Sequence, residues 1–324
     1  MVSEASTYKP PHIFKNGYVN TVFRTLFYDA QIDFQRYRLE LPDKDFIDLD
    51  FVLRGSKRIV LLVHGLEGSS KSKYVLSLAQ NSSQMGLDVV AINLRGCSGE
   101  PNRLFASYHS GQTQDLQYVI GHLVKLGYEE VFLIGFSLGG NQVLKFLGTN
   151  DLSDSVVKSA VGVSVPCDLS GSAVQIAKAE NQIYLNRFLR SLKGKILEKS
   201  ERFPELLLNR EEILSISNFV DFDNLYTAPA HGFTDADNYY QQSSCKQYLK
   251  NINIPGLLIN AKDDTFLSPS CYPEQEAAQN SYFHLEISRY GGHVGFNSSL
   301  AARRNTWLAK RILHFLLTKN LSVH

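Results

Sequence analysis

Six short segments of this chain are apolar with little interruption: 59–63 (IVLLV), 88–92 (DVVAI), 131–134 (VFLI), 157–163 (VKSAVGV), 256–260 (GLLIN) and 283–287 (FHLEI). A strand with one wet face alternates apolar and polar residues, whereas a strand covered on both faces need not. These runs therefore point to a parallel sheet with helices on each side. Helical spacing fills the gaps, at 73–85, 112–126, 138–149, 272–280 and 301–318. That alternation predicts an α/β fold built on a doubly wound, mostly parallel sheet. Ahead of it, 35–41 and 45–53 do alternate, on either side of Pro42-Asp43-Lys44. They read as an antiparallel hairpin added to the sheet edge. The rhythm breaks after Val165-Pro166: 167–250 is helical without a strand-like run, and strands resume near Ile254. The expected organisation is a core in two parts, 1–166 and 251–324, with 167–250 inserted as a helical cap. Such an insertion would cover the carboxyl ends of the strands, where open α/β sheets bind ligands.

Composition excludes several classes. With 33 Lys+Arg against 32 Asp+Glu the formal net charge is +1, which argues against a nucleic-acid binder held by bulk charge. No apolar run approaches the roughly 18 residues of a membrane span. The first 20 residues lack the apolar stretch and cleavage site of a signal peptide. Cys97, Cys167, Cys245 and Cys271 are scattered without C-x-x-C spacing, so neither a disulfide framework nor a zinc site is indicated. The expectation is a soluble, cytoplasmic protein without metal, nucleotide, flavin or other cofactor.

The most informative stretch is Gly135-Phe136-Ser137-Leu138-Gly139, lying between the apolar run at 131–134 and a helical stretch at 141–148. A G-x-S-x-G motif between strand and helix reads as a nucleophile elbow, a sharp strained turn that holds the serine Oγ up at the sheet edge. Glycines two residues either side are needed because side chains there would collide with the crossing backbone. The helix N-terminus behind Ser137 favours negative charge in front of it. A second turn, His64-Gly65-Leu66-Glu67-Gly68, follows the first long buried strand. In serine hydrolases of this architecture such a turn supplies one oxyanion donor, and the residue after the nucleophile supplies the other. The expected donors are the backbone N–H groups of Leu66 and Leu138. His64 precedes the nucleophile and reads as a structural histidine.

Chain order Ser…Asp/Glu…His confines the general base to histidines after Ser137. His293 stands in a glycine-flanked loop, Tyr290-Gly291-Gly292-His293-Val294-Gly295, after the last strand, and is the expected base. His231 falls in the cap, His284 in a strand, His314 in the C-terminal helix and His324 at the chain end. For the acid, the apolar run at 256–260 leads into Asp263-Asp264. Asp264 is expected to fix the imidazole tautomer and stabilise the imidazolium, and Asp263 reads as a solvated neighbour or turn cap. Asp168, after the strand ending near Val165, is the rival acid.

Taken together these motifs are similar to those of the YheT-type branch of the α/β-hydrolase superfamily, esterases related to membrane-anchored phospholipases and acylglycerol lipases. The resemblance spans nearly the whole chain. It begins at Lys9-Pro10-Pro11 and Asn16-Gly17-Tyr18-Val19-Asn20-Thr21, a partial departure from the usual N-G-H-x-Q-T. It continues through His64–Ser69, Asn93-Leu94-Arg95-Gly96-Cys97, Glu100-Pro101-Asn102, Tyr108-His109-Ser110-Gly111 and the elbow, to Ala228-Pro229-Ala230-His231 and Asp237-Asn238-Tyr239-Tyr240. It implies an α/β-hydrolase fold and a Ser–His–Asp hydrolase of carboxylic esters, carried here by Ser137, His293 and Asp264. The membrane anchor of the relatives is not expected. Cys97 and His109 read as structural.

The expected reaction is ester cleavage through an acyl-enzyme, by a carboxylesterase or lipase acting on a small-molecule or lipid ester. Acyl transfer to an alcohol, or thioester cleavage, could run on the same three groups. A non-catalytic binding protein of the same fold is the reading from another class. The stretch 186–202 carries six basic residues against Glu198 and Glu201. It reads either as an amphipathic cap helix with a solvated basic face or as a peripheral contact to anionic lipid.

Overall fold

The computed structural model describes residues 3–28, 31–300 and 306–318, without the side chains of 3–5 and 24–27. The sheet has nine strands: β1 (Ser3–Ala5), β2 (Gln35–Glu40), β3 (Phe46–Val52), β4 (Arg58–Val63), β5 (Asp88–Asn93), β6 (Glu130–Phe136), β7 (Val157–Val163), β8 (Gly256–Ala261) and β9 (Phe283–Ser288). Their spatial order is β1-β9-β8-β7-β6-β4-β5-β3-β2. Only β3 runs opposite to the other eight strands. The helices are α1 (Gly17–Phe27), α2 (Lys73–Gln84), α3 (Gln114–Lys125), α4 (Leu138–Thr149), α5 (Leu169–Ile176), α6 (Gln182–Arg202), α7 (Arg210–Ser215), α8 (Phe219–Phe222), α9 (Ala228–His231), α10 (Ala236–Ser243), α11 (Glu274–Gln279) and α12 (Trp307–Thr318).

Continuous apolarity in the strands has the cause inferred from the sequence. Successive side chains point to opposite faces, and here both faces are covered. Ile59, Leu61 and Val63 of β4 pack with Leu116 and Val119 of α3 and Val143 and Leu147 of α4. Val60 and Leu62 pack on the other face with Val75 and Leu78 of α2 and Leu308 and Ile312 of α12. Each such side chain, fully buried, contributes about 1.5–3 kcal/mol. The hairpin β2–β3 forms the edge expected of it. At the opposite edge the structure adds β1, paired parallel to β9, which the sequence reading missed together with α1. Residues 301–305 of the expected C-terminal helix, and His324, lie outside the described residues. Among the described residues no helix is long and apolar enough to cross a membrane.

The chain passes from β4 to β5 on one side and then to β6 on the other, so strand order reverses at β4. That reversal opens a crevice at the carboxyl ends of β4 and β6. The helices α5–α10 follow β7, and α5, α6, α8 and α10 line the cavity that lies there.

Beside β5 lies a buried polar knot that the sequence reading credited with no chemistry. Arg95 grips Asp115 with two hydrogen bonds, of 2.9 and 2.8 Å, and reaches Asp43 at 2.6 Å. Asn102 donates to the Asp45 carboxylate at 2.7 Å, and Arg95 and Asp115 are almost fully buried. Removing one partner of such a pair leaves the other charge uncompensated. Arg95→Ala is therefore expected to lower stability by about 3–5 kcal/mol, measured as the shift in a urea unfolding curve.

Candidate active site

Because β4 and β6 pair, with Val63 level with Gly135, the turns leaving their carboxyl ends emerge side by side. One residue, Ser137, separates β6 from α4, and its backbone is left-handed at φ 51°, ψ −119°. A non-glycine residue held there costs of order 1–3 kcal/mol and persists only where its surroundings enforce it. The Ser137 amide donates to the Val163 carbonyl at 2.8 Å, and its carbonyl accepts from Asn141 at 3.0 Å. A Cβ at Gly135 would sit 2.3 Å from the Gly139 carbonyl oxygen, and one at Gly139 would sit 2.4 Å from that of His64. Both glycines are required by close crossing of backbone, as the motif implies. Ser137 is the one residue of 131–140 that is not buried.

The turn after β4 is closed by Gly68 N–H donating to the Gly65 carbonyl at 3.0 Å, with Glu67 in the left-handed region at φ 54°. Gly65 lies so near the elbow that a Cβ on it would come within 3.1 Å of the Ser137 Cβ. The N–H of Leu66 has no acceptor among the described residues, and that of Leu138, first in α4, has none in its helix. Leu66, Leu138, Ser137 and His293 share the wall of one cavity of about 680 Å³. His64 is fully buried and satisfied at both ring nitrogens: Nδ1 lies 2.7 Å from the Gly65 carbonyl, and Nε2 accepts from Leu94 N–H at 3.1 Å. Burial pushes its pKa down to about 4. It braces the turn as a neutral ring.

Asp264 follows β8 with its side chain fully buried. Oδ1 accepts from Phe266 N–H at 3.0 Å and Oδ2 lies 2.8 Å from His293 Nδ1. A carboxylate accepts, so Nδ1 carries the proton and Nε2 keeps its lone pair. Nε2 has no partner among the described residues. The Ser137 hydroxyl hydrogen-bonds to neither His293 nor any other described residue. The structure thus joins Asp264 directly to His293 and joins Ser137 to them through the shared cavity. Catalytic hydrogen bonds often tighten only once substrate is bound. The rival Asp168 is engaged elsewhere, capping α5 through Gly171 N–H at 3.2 Å and accepting from Ser270 Oγ at 2.5 Å.

Four braces hold the His293 loop, of which sequence reasoning anticipated only Asp263, and that one as a turn cap without naming its turn. Thr21 Oγ1 accepts the His293 amide at 2.9 Å, and Ser164 Oγ accepts that of Val294 at 2.9 Å. Asn297 bonds to buried Asn20 through its amide at 3.0 Å and its side chain at 2.8 Å. Asp263 Oδ1 accepts from Gly292 N–H at 2.9 Å. Asn20 and Thr21 belong to the N-terminal motif of the resemblance, which was the available signal. Asp263 is not a solvated neighbour: its Oδ2 is buried without a partner, and burial pushes its carboxyl up to about 6. Its turn-capping role stands, with the His293 loop as the turn.

The remaining candidates are structural. Burial raises the Cys97 thiol to about 11, leaving little thiolate at neutral pH. His109 lines the cavity among His231, Phe233 and Tyr239, held neutral by burial. The basic face of α6 is less solvated than expected. Lys195 pairs with Glu67, Lys199 is buried against Asn102, and Lys193 and Arg202 bond to carbonyls of Leu214 and Asn102. Arg187 and Arg190 stay exposed. No group of three or more His, Cys, Asp or Glu among the described residues could hold a metal ion.

Two outcomes test the loop. Thr21→Val removes the acceptor of the His293 amide and is expected to cost about 1–3 kcal/mol in urea unfolding. Asp263→Asn keeps an acceptor for Gly292 but carries no charge. Burial raises the wild-type carboxyl to about 6 in the folded protein from its ordinary value of 3.8, so the folded form holds its proton more tightly. Its charge costs nothing below about pH 4 and most above about pH 6. The melting temperature of Asp263→Asn should therefore rise above wild type only as pH passes through that window.

Comparison with known proteins agrees with this architecture. The family described as "alpha/beta hydrolase fold" matches residues 58–296. The candidate esterase YheT of Escherichia coli (strain K12) is 35% identical, over 98% of this chain and 94% of its own. Phospholipase ABHD3 of Homo sapiens is 27% identical, over 96% of this chain and 73% of its own. Among solved structures, an esterase of Pyrococcus furiosus superposes with a TM-score of 0.59 at 16% identity, covering 88% of this chain and 90% of that one. At that identity the likeness concerns the fold alone. The chain belongs to the α/β-hydrolase fold family, as a hydrolase on the branch that includes YheT.

Proposed function

We propose that this hydrolase cleaves carboxylic esters, with Ser137 as nucleophile, His293 as general base and Asp264 as the group that orients it. The observation that carries the reading is the buried Asp264 carboxylate on Nδ1 of His293, which leaves Nε2 basic in the same cavity wall as a serine at a strained elbow. Ser137 Oγ attacks the ester carbonyl as its proton passes to His293 Nε2. The oxyanion forms opposite the N–H groups of Leu66 and Leu138, where two donors and a helix N-terminus favour negative charge. The C–O bond then breaks, the alcohol leaves with the proton from Nε2, and Asp264 steadies the transient imidazolium. Water, giving its proton to His293, attacks the acyl-enzyme, and the acid departs as Ser137 regains its hydrogen.

Residues 167–250 act as the cap in this reading. The cavity volume lies within the range of small-molecule sites. Phe188, Leu192 and Ile196 of α6, with Phe219, Phe222 and Phe266, give it an apolar wall suited to an acyl chain. Ile183, Arg187 and Arg190 are exposed on one side of α6, a pattern that fits a lipid ester presented at an anionic surface. Four free thiols fit a reducing, cytoplasmic setting.

Ser137→Ala is expected to lower turnover of an activated ester by at least about 10³-fold and to abolish labelling by a fluorophosphonate probe. Full retention of ester turnover would falsify the assignment. The roofed, apolar cavity also favours a second reading, transfer of the acyl group to an alcohol. Turnover in the presence of ethanol separates the two, by whether acid or ethyl ester accumulates.

A further inference from the structure

Glu67 sits next to the expected oxyanion donor Leu66, and it occupies a left-handed position that glycine or asparagine would fill more cheaply. Its carboxylate is held on three sides. Tyr108 Oη donates to Oε1 at 2.8 Å and in turn accepts from the Glu67 amide at 2.9 Å. Lys195 Nζ lies 2.7 Å from Oε1, and Ser191 Oγ donates to Oε2. The Glu67 side chain is only 7% exposed. Ser191 and Lys195 stand one turn apart on α6, which begins more than a hundred residues downstream in the helical insertion. A buried carboxylate stripped of its cation must be hydrated or protonated. Without Lys195 that carboxylate keeps only the neutral hydroxyls of Tyr108 and Ser191, and its hold on the unfavourable backbone of residue 67 weakens.

We propose that Glu67 is a positioning residue that holds the Leu66 N–H in place only while α6 is seated, so that the insertion itself completes the oxyanion site. The inference rests on the reading of Ser137 and Leu66 given above. Binding that lifts α6 withdraws Ser191 and Lys195, frees the Glu67 carboxylate and lets the Gly65–Gly68 turn relax. Acylation then waits until α6 has closed again over the bound ester. With that contact broken the oxyanion site is incomplete, so hydrolysis of an acyl group in the open, wet state is suppressed as well.

The test uses the full chain with three variants: Glu67→Gly, which suits φ 54° and removes the side chain with its carboxylate; Glu67→Gln; and the double variant Ser191→Ala/Lys195→Met, which leaves the sequence of the turn untouched. Steady-state hydrolysis of an activated ester and the rate of fluorophosphonate labelling are read together. Expected is a loss in kcat of about tenfold for Glu67→Gly and for the double variant, with KM within about twofold. This is smaller than the 10²–10³ that follows outright loss of an oxyanion donor. Glu67→Gln, still an acceptor, should recover part of that loss, and labelling rates should follow kcat. The idea is overturned if the double variant keeps wild-type kcat, or if its defect lies in KM alone, since α6 would then be only a wall of the pocket. Ser137→Ala in parallel separates the two levels. Inactive Ser137→Ala with unaffected Glu67 variants defeats the coupling alone, whereas active Ser137→Ala defeats the underlying reading and the coupling with it.

Discussion

Everything at the carboxyl edge of this sheet depends on how closely the first turn of α4 crosses the end of β4. A Cβ on Gly139 would lie 2.6 and 2.4 Å from the carbonyl oxygens of Val63 and His64, and one on Gly65 would lie 3.1 Å from the Ser137 Cβ. At such distances the chain between β6 and α4 has one way through. It turns within a single residue, and that residue pays with a left-handed backbone. The strain is local, but it is set by the apolar packing of two faces, where residues of β4 and β6 anchor the strands to α3 and α4 on one side and α2 and α12 on the other.

The opposite side of the cavity is organised differently. There the loops after β8 and β9 carry Asp264 and His293, and loops alone are poor holders of geometry. The compensation is a ring of polar contacts drawn from distant parts of the chain: Thr21 and Asn20 from α1, Ser164 from the end of β7, and Asp263 from the β8 turn. Gly292 faces the Gly17 carbonyl at a distance that leaves no room for a Cβ. Residues near the amino terminus thus set the position of an imidazole 272 residues after Thr21.

What could be read from the chain divides along this line. Strands β4 to β9 were legible because burial on both faces leaves uninterrupted apolar runs, and Val157–Val163 was found with the bounds the structure shows. The strained turn at Ser137 and the contact of Asp264 with His293 were legible because the motifs place particular residues after particular strands. The N-terminal elements were not. β1 is three residues long and exists through pairing with β9. α1 begins at a glycine, and its one local cue is Asn16, whose side chain accepts from Val19 N–H at 3.1 Å. Nor could the Arg95 knot be read, since its carboxylates come from Asp43, Asp45 and Asp115, and only the fold says which charge meets which. Asp263 misled for the same reason: next to Asp264 in sequence, it differs in having the Gly292 loop closed over it.

The apolar stripe of α6 runs Leu185, Leu189, Leu192, Ile196 and then Lys199, so the position where another leucine would continue the pattern holds an ammonium. Its acceptors are neutral, the Asn102 side chain and the Leu104 carbonyl, and desolvation draws its pKa down to about 8. A leucine at 199 would hold this end of the helix by packing alone. The ammonium instead ties the end of α6 to two fitted acceptors in the segment 102–104, a directional contact where the rest of the stripe offers only non-directional ones.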